Sequence, residues 1–391
     1  MSAKGFLFST AGAAIKKAGR KDLALIYSDV EAQMAGVFTT NKVKAAPVKL
    51  DMRRIKSGKG QAIIVNSGNA NACTGKRGTD DVFEMTRLVA DGLGIKTSLV
   101  YAGSTGVIGM PMPMERIRSK IPGLVDKLGK ASVMDVASAI MTTDTFPKIA
   151  EKKVKIGNKT GSIMGICKGA GMICPDMATM LCFVMTDIAV SQRALVKALN
   201  EAAKKSFNRI TVDGDMSTND TVLMMANGML GNAVIDEESE LYATFRRSLS
   251  DVTYELSKMI VKDGEGATRF VEIEVRGARS EADAETAAFS VANSNLVKTA
   301  IYGNDANWGR IMAALGYSGA FMREEKVDIY LGKVKLVRKG LAAGKDAEAG
   351  KVLRGKEISI VINFNVGKSS AKVLTCDMTE GYIRINAAYR T

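Results

Sequence analysis

Short apolar runs with strand character alternate in this sequence with stretches of helical periodicity, and that alternation excludes an all-helical or all-strand fold. Residues 23–27, 62–65 and 99–102 read as strands, whereas 80–93, 113–128 and 132–141 place apolar residues at helical spacing. The pattern predicts a mixed α/β architecture. Further along, 180–186 reads as a β-rich core segment, and Ser191 is placed to cap a helix reaching about residue 207. A long amphipathic helix is expected over 237–262, followed by a strand at 269–275 and helices at 281–294 and 308–315. Strands at 327–337, 357–366 and 371–385 then form a β-rich terminal part. At 391 residues and 46% hydrophobic, the chain can bury a large core in two or more packed lobes. No internal repeat or low-complexity linker divides it.

The most apolar stretch, 172–190, is interrupted by Asp176 and Asp187, so it reads as a buried strand pair rather than a membrane span. Near the N-terminus an apolar run at 5–15 has only Lys4 before it and Lys16, Lys17, Arg20 and Lys21 behind it. Those flanks suit no signal peptide, and a cytoplasmic location is expected. The five cysteines, Cys73, Cys167, Cys174, Cys182 and Cys376, form no C-x-x-C pair, and the chain has no histidine to complete a zinc pattern. Buried reduced thiols are expected, and no metal.

A net charge of +14 fits either a nucleic-acid surface or attraction of anionic metabolites. The basic residues cluster as Arg53, Arg54 and Lys56, as Lys152, Lys153 and Lys155, and as scattered positions from Lys333 to Lys356. Aromatics are only 6%, and no nucleic-acid module is recognisable, so solvated faces are the better account. Gly367-Lys368-Ser369 lacks the upstream glycine of a phosphate-binding loop, because Ile362 stands there.

Residues 168–181 read Lys-Gly-Ala-Gly-Met-Ile-Cys-Pro-Asp-Met-Ala-Thr-Met-Leu, which sets Thr179 where a glycine-rich approach meets an apolar strand. Without histidine, Ser-His and Cys-His mechanisms are excluded, and a threonine nucleophile needs another base. A cut between Ala178 and Thr179 would supply one, since a free α-amine has a pKa of about 7.7–8.0 and would sit beside the hydroxyl. Taken alone, Thr179 is an ordinary β-branched residue at the head of a strand. Thr105 and Gly106, after the strand at 99–102, read alone as a tight turn, although a loop amide and hydroxyl there suit an oxyanion. Glu265 lies between Gly264 and Gly266, which allow its carboxylate close to a ligand.

The segment Pro175-Asp176-Met177-Ala178-Thr179-Met180-Leu181 resembles the hallmark of the self-cleaving ornithine acetyltransferase family, also called glutamate N-acetyltransferase. The resemblance extends to Ala35-Gly36-Val37-Phe38-Thr39-Thr40-Asn41, Asn66-Ser67-Gly68-Asn69-Ala70-Asn71-Ala72 and Ser104-Thr105-Gly106-Val107-Ile108-Gly109. It continues through Thr142-Thr143-Asp144-Thr145-Phe146-Pro147-Lys148, Asn307-Trp308-Gly309-Arg310-Ile311 and Asn386-Ala387-Ala388-Tyr389-Arg390-Thr391. Met216 stands where the family usually has threonine, and Ala388 where an acidic residue is common.

The resemblance implies a layered α/β/β/α sandwich of the self-processing N-terminal-threonine type. It implies cleavage into an α chain, 1–178, and a β chain, 179–391, that stay associated as a heterotetramer of two pairs. Thr179 is then the nucleophile, with Thr105 and Gly106 stabilising the oxyanion. Thr142, rather than the adjacent Thr143, joins Lys168, Thr179, Glu265, Asn386 and Thr391 in binding substrate, Lys168 at the substrate carboxylate. The implied reaction moves acetyl from N-acetylornithine to glutamate in arginine biosynthesis, through an acetyl-Thr179 ester and without a cofactor; some relatives also use acetyl-CoA as donor. The rival readings are an N-terminal-threonine amidohydrolase or aminopeptidase and, from a different class, a basic nucleic-acid-binding protein.

Overall fold

The computed structural model describes residues 3–174 and 180–388. The chain divides into two compact units. Among the described residues, the first holds 3–169, 180–208 and 215–260, and the second holds 170–174, 209–214 and 261–388.

The first unit is built on eight strands: β1 (Phe6–Ala11), β2 (Leu23–Phe38), β3 (Lys59–Asn69), β4 (Val100–Val107), β5 (Lys148–Ile156), β6 (Lys159–Lys168), β7 (Leu181–Thr186) and β8 (Thr221–Ala226). Its helices are α1 (Ala46–Arg54), α2 (Gly75–Leu93), α3 (Met114–Asp126), α4 (Val133–Ala139) and α5 (Gln192–Lys205), with most of α6 (Tyr242–Lys262). The strands run in the order β4-β3-β2-β8-β7-β6-β5, and β1 pairs with the first part of β2. The β3–β4 and β7–β8 pairs are parallel, and the other pairs are antiparallel. A register shift between Tyr27 and Ala32 lets β2 pair first with β3 and β1, then with β8.

Alternation along the strands gives this sheet two apolar faces, as the period-two geometry of a strand requires. Leu23, Leu25, Ala62, Ile64, Val100 and Ala102 pack with Val82, Met85 and Val89 of α2 and Ile117, Ile121 and Leu124 of α3. Ala24, Ile26, Ile63, Val65, Phe183 and Leu223 point the other way and pack with Val136 and Ile140 at α4. Gly165 lets α6 close onto β6, since a Cβ there would lie 2.7 Å from Leu256 Cδ1. Ser132 and Ser191 cap α4 and α5 by accepting the Asp135 and Ala194 amides.

The second unit has a six-stranded sheet of β9 (Phe270–Ala278), β10 (Asp328–Leu331), β11 (Val334–Arg338), β12 (Leu341–Ala342), β13 (Glu357–Asn363) and β14 (Ser369–Cys376), in the order β12-β11-β10-β13-β9-β14. Its helices are α7 (Glu281–Asn293), α8 (Asn295–Tyr302), α9 (Trp308–Gly316), α10 (Asp346–Leu353) and α11 (Glu380–Ala387). Ala284, Ala287, Ala288 and Val291 of α7 share a core with Val271, Ile273, Ile360 and Val373 of the sheet. The expectation of a mixed α/β architecture therefore holds.

Three expectations need correction. The run at 327–337 is a hairpin rather than one strand, because Gly332 turns the chain at φ +56° between β10 and β11. Strand structure over 371–385 stops at Cys376, and α11 begins at Glu380. Asp377 there accepts the Thr268 and Arg269 amides at 2.8 and 2.9 Å, and Thr379 caps the helix through the Gly381 amide. Of the strand pair expected at 172–190, the described residues contain β7 alone. Among the described residues no helix is long and apolar enough to cross a membrane, and no cluster of three or more His, Cys, Asp or Glu is placed to hold a metal.

Candidate active site

Thr179 and Ala178 lie outside the described residues, as does Thr391, so the site is built from the groups that remain. In the first unit these occupy strand ends and the loops beside them. At the ends of β3 and β4 the register is irregular around Gly68 and Asn69, and Gly68 and Gly106 adopt φ values of +101° and +136°. A Cβ on Gly106 would lie 2.3 Å from the Gly68 carbonyl carbon, so only glycine allows the two strands this approach. Thr105 is buried beside it.

Side-chain amides hold this loop. Ser104 donates its hydroxyl to Asn66 at 2.6 Å, Asn66 donates to the Asn69 carbonyl at 2.8 Å, and Asn69 donates to the Met110 carbonyl at 3.0 Å. Asn219 donates to both the Ser104 and Ala70 carbonyls, at 2.8 and 2.6 Å. The asparagines of the 66–71 motif are therefore the scaffold under Thr105 and Gly106.

Thr142 and Lys168 are brought together by a residue that sequence reasoning did not single out. Asp144 accepts the Lys148 ammonium at 2.6 Å and the Gly169 amide at 2.7 Å on one oxygen. Its other oxygen accepts the Thr142 amide at 3.0 Å and faces Lys168 Nζ at 4.0 Å. Burial is the strongest single influence on this carboxyl and opposes ionisation. Lys168, Lys148 and the Gly169 amide together outweigh it and hold the pKa at about 2. An open pocket beside the cluster is lined by Arg20, Lys21, Asp135, Met141 and Thr142.

Asp220 is the second residue missed. It is fully buried, and one oxygen accepts the amide of Met180 at 2.9 Å. The other oxygen has no hydrogen-bond partner among the described residues. Burial pushes this carboxyl well above the ordinary range, against weaker opposite pulls from the Met180 amide, Thr39 and Lys168. The Thr39 hydroxyl donates to the Ser217 carbonyl at 2.9 Å, and the Thr39 amide donates to the Asp220 carbonyl at 3.0 Å. A signal was present for Asp144, which is the one acid of the 142–148 motif.

The second unit holds the other two described candidates together. Glu265 is buried, its amide donates to the Ala170 carbonyl at 2.8 Å, and its carboxylate accepts Asn386 Nδ2 at 2.8 Å. Gly171 permits this, because a Cβ there would lie 2.3 Å from the Glu265 carboxylate. Asp213 fixes the same approach by accepting the Met172 and Ile173 amides at 2.6 and 2.9 Å and the Tyr382 hydroxyl at 3.2 Å. Of the two family departures, Met216 contacts the Thr40 hydroxyl through its sulfur, and Ala388 is an exposed residue ending α11. Asn307 of the Asn-Trp-Gly-Arg motif caps α9 through the Arg310 amide, a structural role.

The sequence profile described as the ArgJ family matches residues 7–391. An arginine biosynthesis bifunctional protein ArgJ from Geobacter sulfurreducens is 56% identical over the whole of both chains. One of the same name from Symbiobacterium thermophilum is 50% identical over 99% of this chain and 97% of its own. Among solved structures, an arginine biosynthesis bifunctional protein from Bacillus halodurans aligns with a TM-score of 0.52 and 42% identity, over 53% of this chain and 98% of that one. A match of this length, with glycines and buried polar groups where the motifs put them, establishes that the chain belongs to the ArgJ family.

Proposed function

We propose that this enzyme matures by cutting its own Ala178–Thr179 bond and then transfers acetyl from N-acetylornithine to glutamate through an ester on Thr179. The observation that carries the proposal is the family match, whose span of residues 7–391 includes residue 178. The described geometry supports it, because a buried threonine and a strand-end glycine supply the donor types that acyl transfer requires.

In the proposed reaction the Thr179 hydroxyl gives its proton to its own α-amine and attacks the amide carbonyl of N-acetylornithine. The Gly106 amide and Thr105 hydroxyl hold the tetrahedral oxyanion, and the proton passes to the ornithine nitrogen as the C–N bond breaks. Glutamate then attacks the ester through its amine, giving N-acetylglutamate and restoring the hydroxyl. One pocket serves both halves, so ping-pong kinetics follow. Lys168, positioned by Asp144, suits a substrate carboxylate, while Thr142 binds beside it. Glu265 and Asn386 contact the amino-acid portion, with Glu265 managing the leaving amine's proton, and Thr391 contributes from the C-terminus.

The scheme needs no resident cofactor, and acetyl-CoA is a second acetyl donor in the same proposal. So are a cytoplasmic location and a tetramer of two α and two β chains. The pairing of β6 with β7 and of β2 with β8 supports continued association, since each pair joins residues from the two sides of the cut.

Two measurements test this reading. Intact mass should show fragments 1–178 and 179–391, and Thr179→Ala should abolish both cutting and transfer. With N-acetylornithine as donor, N-acetylglutamate should form only when glutamate is present; acetate release indifferent to glutamate would make the enzyme a hydrolase instead.

A further inference from the structure

Asn219 and Asp220 are adjacent in sequence, yet their side chains reach two different parts of the first unit. Asn219 spends both donors of its amide on backbone carbonyls, Ser104 immediately before Thr105 and Ala70 beyond the β3 glycine. Asp220 accepts the Met180 amide at the head of β7. The Met180 N–H belongs to the peptide unit that joins it to the preceding residue, position 179. The backbone of Asp220 adds a bond from the Thr39 amide, which fixes the pair against the end of β2.

We propose that Asn219 and Asp220 are positioning residues for maturation and acyl transfer, the first setting the oxyanion loop and the second setting the peptide that follows the nucleophile. The proposal rests on the reading of Thr179 as nucleophile. Two groups that must converge on one carbonyl are then placed by neighbouring residues on a single buried lead-in to β8, so that their relative position varies little. Displacement of reacting groups by about 1 Å costs on the order of a hundredfold in rate, which gives such a device its value. The unpartnered oxygen of Asp220 agrees with a role beyond packing. A buried polar atom without a hydrogen bond destabilises the fold, and such atoms are retained where function requires them. Because burial favours the neutral carboxyl, an asparagine at 220 is a close mimic of it.

The test compares wild type, D220A, D220N and N219A as full chains, with near-UV circular dichroism to confirm folding. Cutting is followed by denaturing gel, and acetyl transfer from N-acetylornithine to glutamate is measured on the matured fraction. D220A is expected to cut on the order of tenfold to a hundredfold more slowly and to show a lower kcat at unchanged KM. D220N, which keeps an acceptor toward Met180, should recover most of that loss. N219A should lower kcat with KM unchanged, and it tests the pair independently if D220A fails to fold. Wild-type cutting and kcat in folded D220A or N219A would overturn the proposal, as would D220N no faster than D220A. A wild-type chain that neither cuts nor transfers would instead overturn the Thr179 reading.

Discussion

Two buried aspartates in the first unit have opposite electrostatic fates. Asp144 is surrounded by cations and amides, with Lys148 and Lys168 on its two oxygens, and stays ionised with a pKa of about 2. Asp220 has one amide donor and an oxygen without a hydrogen-bond partner among the described residues, and burial pushes its carboxyl well above the ordinary range. Burial opposes charge at both sites, so the count of donors and cations decides the outcome. The first aspartate gathers Lys148 and Lys168 around one buried carboxylate. The second, whose burial disfavours the charged form, accepts the amide of Met180.

Removing each carboxyl probes that difference. Asp144→Ala leaves two lysines without their buried counter-ion, and chemical denaturation should show a loss of about 3–5 kcal/mol. A loss below about 1 kcal/mol would mean that water already solvates the lysines. Acid titration of stability has the next largest effect. The depressed pKa of Asp144 gives stability that is present above its unfolded pKa of about 3.9 and is lost as pH falls through about 2, about 2.6 kcal/mol in all. That acid-side slope should be missing from Asp144→Asn. Asp220 has the reverse sign: its raised pKa contributes stability that is complete below about 3.9 and declines as pH rises through the folded value. The decline should vanish in Asp220→Asn, whose stability near pH 4 should differ from wild type by less than about 1 kcal/mol. A large loss there would show that the second oxygen is ionised and partnered, and the contrast would collapse.

Legibility in the sequence followed the range of the interactions. Residues 62–65 and 80–93 were readable because alternation and helical spacing are local signals, and both fall inside observed elements, β3 and α2. The β5–β6 hairpin was not, because Lys152, Lys153 and Lys155 dilute the apolar pattern. They lie on an edge strand, where charge blocks further pairing, and the reading of that cluster as a solvated face agrees with it. The end of β14 was misjudged because Asp377 and Thr379 take their partners from residues 266–269, over a hundred positions earlier. At the candidate site, motif resemblance singled out Lys168 and Thr142, whereas Asp144, in the same motif as Thr142, was passed over because the contacts to Lys168 and Gly169 that set its role form only in the folded chain. Asn219 escaped notice for the same reason: its hydrogen bonds span 115 and 149 residues.

The strand order bears on any attempt to make the two fragments separately. Within the first unit's sheet, β7 and β8 come from residues after 178, and they are inserted between β2 and β6, which come from before it. A polypeptide of 1–178 made alone would lack the middle of its sheet, a gap of about 10–15 Å between strands meant to be bridged. Two sticky edges would face each other across it, inviting aggregation. Equal amounts of the two pieces synthesised from separate messages are thus expected to be a poor substitute for the single chain, which delivers the central strands already tethered to their slot.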